Sequence, residues 1–115
     1  MSYFALVTFD IKNGDAQDYE MIYAGLSKLG FYTHITGDKG TIIQLPTTTC
    51  AGVFTASSAA AARDDLTERV EQLFLKHNLT GEVFVSVGGD WAWGYRKPQA
   101  TRVASLERIL AALNH

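Results

Sequence analysis

A single cysteine, Cys50, stands in the 115 residues of this chain. It excludes an internal disulfide and fits a reducing compartment. No apolar run approaches the roughly 18 residues of a membrane span. The first apolar stretch is short and has no basic residues before it, so no secretory signal is expected. Three histidines, His34, His77 and His115, have no metal-ligand spacing with one another or with Cys50. Gly88-Gly89 lacks the following Lys and Ser/Thr helix of a phosphate loop, and Gly37…Gly40 reads as a turn. There is no repeat and no low-complexity linker. A broad positive charge is missing as well: the net charge is −2, which does not announce a nucleic-acid binder. These absences predict a cytoplasmic protein with no membrane contact.

An apolar fraction of 47% and a charged fraction of 19% are those of one globular domain. Charge is unevenly spread. Residues 1–90 hold 6 Lys/Arg against 11 Asp/Glu, or −5; residues 91–115 hold Arg96, Lys97, Arg102 and Arg108 against Glu107, or +3. The expected organisation is a core over residues 1–90 and a basic appendage over residues 91–115 used in dimerisation. Such a basic piece either contacts phosphate or an acidic surface, with Arg96, Lys97 and Arg102 as candidate nucleic-acid contacts, or merely keeps the chain soluble.

Tyr3 to Phe9 are aromatic, β-branched and aliphatic, which predicts a buried strand ending at Asp10. Asp15 is a candidate cap for a helix with Tyr19, Ile22, Tyr23, Leu26 and Leu29 on one face, closed by Gly30. Phe31–Thr36 reads as a second strand. Thr41–Leu45 either extends it or forms an irregular arm, with Pro46 as its end. Thr48–Thr55 reads as a third strand. Ser57 or Ser58 then caps a helix with Ala59, Ala62, Leu66, Val70, Leu73 and Phe74 inward and an Asp65–Arg69 pair outward. Glu82–Val87 is a fourth strand. Asp90–Tyr95 is an extra extended piece with Trp91, Trp93 and Tyr95 on one face, and Val103, Leu106, Ile109, Leu110 and Leu113 mark a terminal helix. The order β-α-β-β-α-β predicts an α+β, ferredoxin-like sandwich with an extra C-terminal strand and helix. That fold alone assigns no function.

The strand ending in Asp10, the helix closed by Lys28-Leu29-Gly30-Phe31 and this element order resemble the small CRISPR-associated ferredoxin-like nucleases. The middle of the chain is similar to the GhoS-type endoribonuclease antitoxins. It is so through Phe31, the Gly40…Gln44-Leu45 spacing, and Phe54-Thr55-Ala56-Ser57-Ser58-Ala59-Ala60 leading into Asp64-Asp65-Leu66. Trp91-Ala92-Trp93-Gly94 is similar to small relatives of the same group, so the resemblance spans residues 3–94. It implies a homodimer in which the strand-end aspartates of two protomers share a divalent cation, magnesium. Asp10 is then the catalytic and metal-binding residue. Asp15, Asp18 and Glu20 stand where the CRISPR-associated group has an arginine-rich helix start.

Phosphodiester cleavage needs a metal to stabilise phosphoryl charge and activate water, and a hard cation wants carboxylate oxygens. Asp10 is therefore either that ligand or a turn residue at the mouth of a strand. Asp90 is a second carboxylate if the fourth strand runs beside the first, or a loop residue bonded to its own backbone. Trp91, Trp93 and Tyr95 beside Arg96 and Lys97 suit base stacking. A stripe of large rings is also costly in water and suits a dimer interface, the favoured reading. The leading expectation is a metal-dependent endoribonuclease or nucleic-acid-associated regulator of the toxin–antitoxin or CRISPR-associated type, with RNA, DNA or a protein as partner. The alternatives are a non-catalytic dimeric antitoxin or adaptor, and a small-ligand regulatory domain with its site in the gap between protomers.

Overall fold

The computed structural model describes residues 1–100 and 110–113. Its elements run β1 (Ser2–Ile11), α1 (Ala16–Leu29), β2 (His34–Thr36), β3 (Ile42–Gln44), β4 (Thr49–Thr55), α2 (Ala59–Lys76) and β5 (Gly81–Gly88). β1 is the centre of an antiparallel sheet ordered β4-β1-β5. The chain is α+β. Both helices cover one sheet face, an arrangement compatible with the ferredoxin-like sandwich, but three strands rather than two stand between the helices along the chain.

Strand alternation decides that arrangement. Tyr3, Ala5, Val7, Phe9 and Ile11 are buried, while Phe4, Leu6 and Thr8 on the other face are half-covered and Asp10 is exposed. The strand expected to be buried throughout is therefore buried on its helix side only. Ile22 and Leu26 of α1 and Ala62, Leu66, Val70 and Phe74 of α2 meet that side. Phe9 packs edge-on against Tyr23 and Phe74, with ring centroids 5.5 and 6.1 Å away.

Local chemistry fixes the helix ends. The Asp15 carboxylate accepts from Asp18 N–H at 2.8 Å, and the Asp18 carboxylate accepts from Asp15 N–H at 3.1 Å, a reciprocal capping box. Gly30 closes α1 in the left-handed conformation, at φ 104°. Its carbonyl oxygen then lies 2.0 Å from where a Cβ on Gly52 would stand, so β4 passes the turn only because residue 52 has no side chain. Ser58 caps α2, accepting from Ala61 N–H at 3.0 Å, and Asp65 pairs with Arg69 at 3.0 Å.

The second strand differs from expectation. Only Tyr32 joins the main sheet, exchanging both backbone hydrogen bonds with Ala51 at 2.8 and 3.0 Å. The chain then leaves as a separate β2–β3 hairpin, with Ile35 opposite Ile43. Thr41–Leu45, open between strand and arm, thus supplies the second hairpin strand. Each hairpin strand has one half-buried residue between two exposed ones, too little apolar surface to hold it flat on the core. The expected extra strand is not paired: among the described residues, 91–100 have no ladder partner. Of the expected terminal helix, residues 110–113 are helical, with Leu110 and Leu113 exposed; Val103, Leu106 and Ile109 lie outside the described residues.

Candidate functional site

Two places on the outer sheet face, opposite the helices, gather chemistry. They lie at opposite ends of β1. At the C-terminal end, Asp10 is exposed and its Oδ1 accepts from the Tyr19 hydroxyl at 3.1 Å. That hydroxyl also accepts from Ile11 N–H at 3.4 Å, so α1 holds the strand mouth. Glu82 of β5 stands directly opposite Asp10 in the ladder. Paired residues share a sheet face with Cβ atoms about 4.5–5.5 Å apart, and like charges there repel. A divalent cation relieves such repulsion, and two carboxylates are the hard oxygen donors magnesium takes. Among the described residues, no group of three or more His, Cys, Asp or Glu side chains forms a ready metal site within the chain.

Asp90 belongs to the other end. β5 runs antiparallel to β1, so Gly88 is opposite Phe4 while Glu82 is opposite Asp10. The register separates Asp90 from Asp10 by six or more strand positions, roughly 20 Å. β5 does run beside β1, but this register keeps Asp90 from serving as a second carboxylate beside Asp10. Glu82 is the carboxylate that sequence reasoning missed. Its only signal is the antiparallel register, which the sequence does not display.

The second place is a groove of about 880 Å³ at the N-terminal end of β1. Phe4, Ala51 and Val53 of the sheet form its floor. Tyr32, His34, Ile35, Thr36 and Asp38 of the hairpin border one side, and Trp91, Ala92 and Trp93 the other. Trp91 stacks on Phe4, with centroids 6.0 Å apart and planes 24° apart. Tyr32 and His34 rings lie 6.2 Å apart. Trp93 reaches the hairpin turn, its Cη2 atom 3.8 Å from where a Cβ on Gly37 would stand. The arm after β5 therefore folds back over its own sheet.

The aromatic stripe is only partly covered by this packing: Trp91 and Trp93 keep 40% exposure and Tyr95 keeps 37%. Arg96 Nη1 donates to the Tyr95 carbonyl at 2.8 Å, and Arg96 and Lys97 are exposed and do not line the groove. Arg102, the third expected nucleic-acid contact, lies outside the described residues, as does His115. His77 stands at the C-cap of α2. Cys50 is fully buried, and burial pushes its thiol up to about 11, which suits a structural thiol rather than a nucleophile. Tyr32 and Asp38 carried no sequence signal, because a hairpin that leaves the sheet has no periodicity tying it to the core. No family model matches this chain, and no curated protein matches it.

Proposed function

We propose that this chain is a small-ligand regulatory domain that recognises its ligand in the aromatic groove. The groove is the single observation behind this reading. Its volume lies within the roughly 300–1,000 Å³ common for small-molecule sites, and its lining combines aromatic and aliphatic side chains with at least as much exposed polar surface. Tyr32, Trp91 and Trp93 line it with aromatic rings, Trp91 stacked on Phe4 beneath; His34, Thr36 and Asp38 supply polar groups. A regulatory role follows from the two pieces that border the site. The hairpin and the arm both stand outside the three-stranded sheet, so a ligand that bridges them changes what the arm presents to a partner. Thermal unfolding with a panel of charged, neutral and nucleotide metabolites tests the reading. A ligand present at 100 times its Kd raises stability by about 2.7 kcal/mol. A folded protein whose melting temperature none of the panel raises defeats it.

A second reading rests on Asp10 and Glu82. Their facing carboxylates favour a metal-dependent endoribonuclease of the type the sequence resembles, with the pair doubled across a homodimer axis to bind magnesium. There the metal would stabilise phosphoryl charge and activate water. The Tyr19 hydroxyl would orient Asp10, and Glu82 would supply the second oxygen ligand. Incubating labelled mixed-sequence RNA with wild type and Asp10→Asn, each with magnesium and with chelator, separates the readings. Magnesium-dependent cleavage lost in the folded variant supports the nuclease. No cleavage in either leaves Asp10 as the residue that Tyr19 anchors at the strand mouth.

A further inference from the structure

We propose that the aromatic groove binds a small organic ammonium ion, held by the faces of Trp91, Trp93 and Tyr32 and by the Asp38 carboxylate. The inference rests on the groove being a ligand site and adds the charge of what it takes.

The argument is one of charge complementarity. Aromatic faces carry negative potential and attract cations within about 6 Å of the ring centre, most strongly for tryptophan. Two tryptophans, a tyrosine and Phe4 line this groove. Among the described residues Asp38 is the only carboxylate on the lining, and no described lysine or arginine lies there. The surrounding body carries 11 acidic against 6 basic residues over positions 1–90. Arg96 of the arm donates to its own backbone at Tyr95. Lys39 follows Asp38 in the hairpin turn but does not line the groove.

The same facts weigh against a nucleotide. Base stacking needs the rings, but the phosphate that accompanies a base needs lysine or arginine beside them. Here it would meet Asp38 instead. A neutral apolar ligand would be served by the rings alone and leaves the carboxylate without a task. An ammonium ion with an attached hydroxyl or carbonyl uses all three components: rings for the cation, Asp38 for its charge, and Thr36 or His34 for the polar end.

The chain has two tryptophans, Trp91 and Trp93, and both line the groove, so intrinsic fluorescence reads occupancy directly. Choline is the probe, against its uncharged isostere in which carbon replaces the ammonium nitrogen. The expected result is a saturable change with choline and binding of the isostere weaker by about tenfold. Asp38→Asn, at an exposed turn position, should weaken choline by up to about fivefold while leaving the melting temperature unchanged. Trp93→Leu should weaken it similarly, read through Trp91. Equal affinity for choline and its isostere overturns the cation assignment while leaving the groove a ligand site. A response to an oligouridylate with none to choline overturns it in favour of base stacking. Silence toward choline also overturns it; the metabolite panel then decides separately whether the groove binds anything.

Discussion

Cys50 and Gly52 lie two positions apart on β4 and face the same core, yet each is fixed by a different force. For Cys50 it is desolvation, which raises the thiol from 9.0 to about 11. The folded state therefore holds this proton more tightly than the unfolded chain. The resulting stability is complete below pH 9 and is lost as pH rises from 9 toward 11, by at most about 3 kcal/mol. Denaturant unfolding of wild type and Cys50→Ala across that range checks this: the difference in their stabilities should shrink as pH rises, and a constant difference would refute it. For Gly52 the force is steric. A methyl group would collide with the Gly30 carbonyl, which belongs to backbone and cannot rotate away. Gly52→Ala should cost about 2–3 kcal/mol in equilibrium unfolding, the range of overpacked cores. The sequence marks residue 52 only as a glycine in a strand; its reason lies in a turn more than twenty positions earlier.

Among the elements, the helices were the most legible. The i, i+3, i+4 rows on α1 and α2 are the rows that meet the sheet, and Asp15, Gly30 and Ser58 stop and start them where local backbone bonding requires. These signals are local, so they survive without knowledge of the fold. Asp15→Ala should lower stability by about 1 kcal/mol, while Asp15→Ser should keep most of it, because either oxygen can accept from Asp18 N–H. Equal losses in both would show that the cap contributes little. The hairpin was less legible. Phe31–Thr36 has the residue types of a sheet strand, but only Tyr32 pairs with β4. Whether a strand stays on a sheet depends on the apolar area it covers there, and His34 and Thr36 cover none. Departure of the hairpin opens the groove, so the proposed ligand site arises where the sequence pattern was weakest.

At the scale of the molecule, the open edge of β5 and the outer sheet face are the surfaces the proposed homodimer would use. Among the described residues β5 pairs only with β1, and its eight residues contain no proline and the single charge of Glu82. An unprotected edge of this kind is a template for a further strand. Phe84 beside it is 64% exposed on the outer face. The proposed homodimer would cover both. Light scattering should then give a particle of twice 12.6 kDa, and Phe84→Lys should return it to the single-chain mass without lowering the stability of the monomer. A dimer indifferent to Phe84→Lys places its contact elsewhere, and a wild-type monomer removes any metal shared between two Asp10 carboxylates.

The sequence by itself determined the α+β class, both helix faces and their caps. All of these follow from the residue types within about a turn or a strand of one another. Only the tertiary structure decided that Asp10 faces Glu82 and stands far from Asp90, because antiparallel register is a relation between segments seventy residues apart. It alone brought Tyr32, Asp38, Trp91 and Trp93 around one groove. Their meeting depends on the hairpin leaving the sheet and on the arm folding back onto Phe4, two long-range packing outcomes that no local pattern encodes.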